Sequence, residues 1–154
     1  RLKQMDKRIS CRAIIINNGK MVSMYREKGD RVYYTFPGGG KNEDESLEGC
    51  VVREVIEEFG MTVEPIKLVY TYEDEKSIQY FYLCKWISGE FGSGVGEEFQ
   101  PDRNKGIYIP MMLDLNKLSE LPLMPPEIRD MLFEDFKACG ENLTNETKKI
   151  IGNF

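Results

Sequence analysis

Apolar positions in this chain change their period twice, and those changes delimit its elements. Arg8–Ile16 ends in the β-branched run Ile14-Ile15-Ile16 and is read as a strand. Asn17-Asn18-Gly19 is a tight-turn signal, which makes Lys20–Arg26 the returning strand of a hairpin. A second turn at Glu27-Lys28-Gly29-Asp30 leads into a strand over Arg31–Phe36, which Pro37-Gly38-Gly39-Gly40 is expected to break before a loop. From Ser46 to Phe59 the spacing becomes helical. Val51, Val52, Val55, Ile56 and Phe59 fall on one arc of the wheel, and Arg53, Glu54, Glu57 and Glu58 on the opposite side. Ser46 or Asp44 suits the N-cap and Gly60 the position just past the end. Gly49 falls on the apolar arc, where a missing side chain would let the helix approach a sheet closely.

Alternation then returns in two long strands, Thr62–Tyr72 and Ser77–Ser88, joined by the charged turn Glu73-Asp74-Glu75-Lys76. In the second, Ile78, Tyr80, Tyr82, Cys84 and Trp86 alternate with Gln79, Phe81, Leu83, Lys85 and Ile87. Apolar residues on both faces predict a central strand covered on two sides. Glu90–Asn104 is read as a Gly- and Glu-rich loop, Gly106–Leu113 as a strand and Asp114–Leu121 as a short helix. Pro125-Pro126 opens a last amphipathic helix over Glu127–Cys139, with Ile128, Met131, Leu132 and Phe136 inward. Residues 141–154 are polar and expected to form a poorly ordered or loosely docked tail, leaving 1–140 as a single domain. Strands on both sides of one helix, with a second helix at the end, predict an α/β sandwich around a mixed sheet.

Composition narrows the chemistry. A chain of 154 residues suits one core, and a net charge of −5 argues against a nucleic-acid-binding face, so no DNA partner is expected. There is no histidine, which excludes Ser-His and Cys-His catalysis and any His-ligated zinc site. Carboxylates, Lys, Tyr and water on a metal are the catalysts that remain. Cys11, Cys50, Cys84 and Cys139 are scattered without ligand spacing and are read as reduced, mostly buried thiols of a cytoplasmic protein. No apolar run approaches the roughly 18 residues that cross a bilayer, and Arg1–Met5 lacks the apolar centre of a secretory signal.

The chemistry concentrates between Gly39 and Met61. Glu54, Glu57 and Glu58 stand at i, i+3 and i+4, so they project from the same helical face and repel one another. Such a cluster is tolerated readily when a hard cation such as Mg2+ sits between the oxygens. The same string resembles the Nudix box, G-x5-E-x7-R-E-U-x-E-E-x-G-U with U an apolar aliphatic residue. Gly39, Glu45, Arg53, Glu54, Glu57, Glu58 and Gly60 fill its fixed places, and Val55 and Met61 the apolar ones.

The resemblance implies an α/β/α fold with a mixed sheet and the box as loop-helix-loop. It implies a Nudix hydrolase that splits a nucleoside diphosphate linked to another moiety, with Mg2+ as cofactor and Mn2+ as substitute. On that basis Glu57 and Glu58 are the principal metal ligands, and Glu54 is a third ligand or the holder of the attacking water. The Gly38 or Gly39 carbonyl is a further ligand. Arg53 orients carboxylates, within reach of Glu57 and Glu45, and Glu45 fixes the loop or a water on the metal. A further catalytic glutamate is expected from the loop Gly92–Glu98, with Glu98 favoured over Glu97. Around the glycine run Gly38-Gly39-Gly40, the cations Arg26, Lys28, Arg31 and Lys41 are candidates for holding terminal phosphates, weighed against solvated surface roles. Tyr33, Tyr34, Tyr80, Tyr82 and Trp86 are candidates to stack a base, weighed against the core.

Substrate class is approached by elimination. The family's ADP-ribose branch carries a proline about fifteen residues past the box, and Asp74–Ser77 has none. The S-Q-P-W signature of NADH hydrolases is absent, and Tyr80 falls late for the dinucleoside-polyphosphate tyrosine. A nucleoside triphosphate or related small nucleotide is what remains. A non-catalytic nucleotide sensor, RNA decapping and isoprenyl diphosphate isomerisation are the competing readings. Many relatives are homodimers, but no residue here specifies that assembly.

Overall fold

The computed structural model describes residues 7–94 and 106–152. Its centre is β6 (Ser77–Gly89), parallel to β1 (Arg8–Asn17) on one side and antiparallel to β5 (Met61–Glu73) on the other. β4 (Gly38–Gly40) adds antiparallel to the far edge of β1, and β9 (Lys148–Ile151) adds parallel to β5. After the hairpin, β2 (Lys20–Lys28) diverges from β1 and runs between β3 (Arg31–Thr35) and β7 (Ile107–Asp114). A two-residue strand, β8 (Leu123–Met124), lies parallel to β3. The sheet is mixed, as the alternation of sequence patterns predicts.

Two helices cover opposite faces. Cys11, Ala13 and Ile15 of β1 pack with Cys50, Val51, Val55 and Phe59 of α1 (Leu47–Phe59). Ile14, on the other face, joins Ile128 and Leu132 of α2 (Pro126–Cys139). Strand β6 sends Tyr82 and Cys84 to the first core and Phe81 and Leu83 to the second, so it is covered on both faces. Each fully buried side chain of this kind contributes about 1.5–3 kcal/mol relative to exposure. The result is an α/β/α sandwich.

Four expectations change. Gly38–Gly40 does not simply break the chain into a loop, because it pairs with Ser10, Cys11 and Arg12 as β4. Val52 and Ile56 do not share the buried arc: Ile56 is 44 % exposed, and both line an open groove of about 580 Å³ with Gly49 and Glu57. The buried stripe is rotated onto Cys50, Val51, Val55, Glu58 and Phe59. Gly49 therefore meets the Ser46 and Glu45 side chains and not a sheet. Residues 115–120 form a 3-10 helix capped by the Asp114 side chain, and Cys139 is exposed while Cys11, Cys50 and Cys84 are buried free thiols.

The fourth correction concerns the end of the chain. Residues 141–152 are not a loose tail. Leu143 is fully buried, Lys67 Nζ donates to Thr144 O at 2.6 Å, and Gly152 N donates to Glu73 O at 2.8 Å. Lys148 Nζ reaches Asp135 Oδ1 at 2.6 Å, while the Tyr70 hydroxyl donates to Asp135 Oδ2 at 2.6 Å. A buried carboxylate thus ties α2 to both β5 and β9. Lys148 and Lys149 give the segment its polar reading, yet Lys148 serves as a counter-ion. Removing the carboxylate leaves the Tyr70 hydroxyl buried without its acceptor, a loss of about 1–3 kcal/mol. Asp135→Ala is expected to lower the unfolding free energy from urea melts by that amount, with a lower midpoint at unchanged slope, and Tyr70→Phe by less. Equal midpoints for wild type and Asp135→Ala would contradict this role.

Candidate active site

The start of α1 is fixed by the Ser46 side chain, which accepts from Gly49 N at 2.9 Å, and its end by Gly60 in the left-handed conformation. Between these caps the helix presents its carboxylates toward β4 and the loop that follows. Arg53 organises them. Its Nε donates to Glu45 Oε2 at 2.6 Å and its Nη2 to Glu45 Oε1 at 3.0 Å, a bidentate pair. Nη1 donates to Glu54 Oε2 at 2.9 Å and Glu57 Oε1 at 3.3 Å, and Nη2 also reaches Gly40 O at 3.1 Å. Every N–H of the guanidinium fork therefore meets an oxygen.

Electrostatics follow from this contact. Hydrogen bonding to Arg53, helped by the Asn42 amide and opposed by burial, holds the Glu45 carboxyl down at about 2. Arg53, bonded to Glu45 and flanked by Glu54, is pushed above the usual arginine value. Glu45 Oε1 also accepts from Asn42 N at 2.9 Å, so the loop before the helix is fastened to the same pair.

The glycine run supplies close backbone approach. Gly38 has φ 140°, and its N–H donates to Glu58 Oε1 at 2.8 Å. A Cβ on Gly38 would run into the Cys11 carbonyl. On Gly39 it would stand 2.8 Å from the Glu54 carboxylate, so the Glu54 side chain would have to shift from its place. Glu58 is 8 % exposed, whereas the Glu57 side chain is 47 % exposed. Gly38, Gly39, Gly40, Glu45, Arg53, Glu54, Glu57 and Glu58 are thus brought together.

The remaining candidates are placed elsewhere. Arg26 stacks over the rings of Tyr108 and Tyr33, with its guanidinium carbon 3.7 Å and 5.6 Å from their centres. Lys41 bonds the carbonyls of Asn42 and Glu43 in its own loop. Arg31 lies over Tyr33 at 4.7 Å. Tyr82 is buried, while Tyr80 and Trp86 pack against the same core, as the core reading anticipates. Glu97 and Glu98 lie outside the described residues.

Sequence reasoning missed two arginines. The Arg8 guanidinium covers Gly40, where a Cβ would meet it at 3.2 Å. Arg12 is paired across the sheet with Gly38 and donates to Phe36 O and to Gln79 Oε1. Burial pulls Arg12 below the ordinary arginine pKa, with Glu58 and Glu54 opposing that shift and Arg8 adding to it. The signal was a cation inside the otherwise apolar run Cys11–Ile16. Among the described residues no three acidic or thiol side chains form a closed metal cage, because Glu58 turns to Gly38 while Glu54 and Glu57 turn to Arg53. No helix among them is long and apolar enough to cross a membrane.

A family model described as NUDIX domain matches residues 6–132. An RNA pyrophosphohydrolase of Pasteurella multocida (strain Pm70) is 33 % identical over 57 residues, covering 37 % of this chain and 29 % of that protein. The match therefore spans less than a third of the curated relative. A NUDIX hydrolase from Nitrosomonas europaea superposes with a TM-score of 0.72 at 14 % identity, over 97 % of this chain and 80 % of that one. An ADP-ribose pyrophosphatase from Streptococcus suis gives 0.61 at 24 % identity, over 94 % and 98 %. The MutT protein of Methanosarcina mazei Go1 gives 0.58 at 27 %, over 90 % and 96 %.

The depressed Glu45 carboxyl has a consequence for stability. A group whose pKa is lowered by folding stabilises the fold above its ordinary value, here 4.5, and that contribution disappears as pH falls toward about 2. Thermal melts of wild type and Glu45→Gln are expected to differ most above pH 5 and to converge progressively below about pH 4.5. A difference that stays constant down to acid unfolding would contradict the ion pair.

Proposed function

We propose that this chain, which belongs to the Nudix family of hydrolases acting on pyrophosphate bonds, cleaves the pyrophosphate linkage of a nucleoside diphosphate derivative with Mg2+ as cofactor. The observation that carries the proposal is the set of carboxylates on α1, gathered against β4 by Arg53 and by the Gly38 amide. The donors fit the metal. Glu54, Glu57, Glu58 and the Gly38 carbonyl offer only hard oxygens, and Gly39 leaves the backbone open to Glu54. An open arrangement also suits Mg2+, which is usually held by one or two carboxylates together with substrate phosphates. When bound there, the ion neutralises phosphate charge and lowers the pKa of water.

The protein's own groups do the rest. Arg53 keeps Glu45, Glu54 and Glu57 oriented, so that three like charges stand close without splaying. In this reading Glu54, beside the Gly39 backbone, holds the attacking water or serves as a third ligand. Glu57, the more exposed of the carboxylates, faces solvent and so the arriving substrate. Within this reaction we assign a nucleoside triphosphate or related nucleotide as substrate. ADP-ribose, dinucleoside polyphosphates and a non-catalytic sensor role are the alternatives.

A substrate panel tests the proposal: (d)NTPs, ADP-ribose, dinucleoside polyphosphates, NADH and capped RNA, with Mg2+ or Mn2+, scoring phosphate and pyrophosphate. Turnover of one class is expected, abolished by chelation and reduced at least about a hundredfold in Glu57→Gln. Nucleotide binding without turnover of any member would replace the enzyme with the sensor.

A further inference from the structure

Two buried thiols meet where α1 joins the sheet. Cys11 is the cross-strand partner of Gly39 on β4, and Cys50 Sγ stands 3.7 Å from the carbonyls of both Gly39 and Gly40. The side chains of Cys11 and Cys50 hydrogen-bond each other, and both residues are fully buried and free. Cys50 also touches the ion pair that organises the carboxylates. Arg53 Nη2 donates to its sulfur at 4.0 Å, and Glu45 accepts from the same thiol. The pairing is selective. Cys84, also buried, lies on β6 opposite Ile15, roughly 13 Å along β1 from Cys11. A disulfide joins Cα atoms no more than about 7 Å apart, so Cys84 is out of reach of Cys11. Cys139 is exposed at the end of α2, on the opposite face of the sheet.

We propose that Cys11 and Cys50 form a redox-responsive pair, which a peroxide converts to a reversible disulfide that staples α1 to β1. The bond balances with hydrogen peroxide as oxidant. Peroxide oxidises the Cys50 sulfur to S–OH as its O–O bond breaks and one water leaves. The Cys11 sulfur then attacks that sulfur, the S–O bond breaks, and the departing oxygen takes the Cys11 proton as a second water. Burial raises the pKa of both thiols, so the closed state resists the first step. Access comes through the first turn of α1, where Cys50 N donates to Ser46 O at 2.9 Å and the Ser46 side chain caps Gly49 N. Opening that turn brings Cys50 to the oxidant, while Cys11 stays in the sheet to resolve it. In the linked state the Cys50 sulfur has no hydrogen to donate to Glu45 or to the glycine carbonyls. The staple therefore acts on the Glu45–Arg53 pair without occupying the carboxylate face.

The test exposes the full chain to hydrogen peroxide, blocks the remaining thiols with N-ethylmaleimide in denaturant, and maps the peptides without reductant. A linked Cys11–Cys50 peptide is expected, reversed by dithiothreitol, with Cys84 still alkylated and exposed Cys139 reporting that the oxidant has acted. Ser46→Ala, which loosens the turn, should speed linkage about fivefold, the extra opening that loss of one N-cap gives. In wild-type protein the Arg53 Nε–H and Asn42 amide NMR resonances should shift on linkage and return on reduction. Oxidised Cys139 without the Cys11–Cys50 peptide, linkage of Cys50 to Cys84 in its place, an unchanged rate in folded Ser46→Ala, or resonances that stay in place in linked protein would overturn the proposal. Resting on the hydrolase reading above, linked protein should also turn over substrate at least tenfold more slowly. Full turnover by linked protein would overturn the switch and leave the reaction standing, whereas reversible linkage in a chain that hydrolyses nothing sustains the pair and sinks the reaction.

Discussion

Three carboxylates and a glycine carbonyl converge on the Arg53 guanidinium, and this convergence lets one short helix carry so much negative charge beside a turn of backbone. Glu54, Glu57 and Glu58 on adjacent turns would otherwise separate and fray toward water. Arg53 sets Glu54 and Glu57 with one nitrogen and Glu45 with a fork, so the loop and the helix share a counter-ion. Lysine could supply the charge but not this planar division of donors among four partners. A metal arriving with its phosphates would thus find carboxylates already oriented.

The rest of the fold serves to hold that fork in register. Val51, Val55 and Phe59 bury the inner stripe of α1 on the sheet, which fixes the helix rotation and turns Glu58 toward Gly38. β4 brings the glycine amides to the carboxylates, and its pairing with β1 places Arg12 behind them. Cys50 packs its thiol near the Gly39 and Gly40 carbonyls, filling the small space between helix and strand. Burial raises the pKa of that thiol, so it stays neutral there.

Much of this was legible in the sequence because the signals are local. The helix from Ser46 to Phe59, its caps, and the alternation of β6 depend on neighbours a few residues away, where periodicity is informative. The spacing of Glu45, Arg53, Glu54, Glu57 and Glu58 also anticipates that these residues gather at one end of the sheet. What escaped depends on distant partners. Val52 and Ile56 looked buried because the wheel cannot say which edge of an apolar arc meets the sheet. Lys148 looked like tail, since its buried partner Asp135 and that residue's second partner, Tyr70, lie in other elements. Arg12 gains its meaning from Gly38 and Gln79 across the sheet, and a strand pattern alone does not reveal such neighbours.

The claim that Arg53 couples loop to helix is tested most directly by amide hydrogen exchange in Arg53→Lys. The Asn42 amide, protected by Glu45 Oε1 in the native chain, should exchange markedly faster in the variant, together with its loop neighbours. Amides in the middle of α1 and in β6 should keep their protection. Unchanged exchange at Asn42, or loss of protection spread evenly through the sheet, would contradict the account.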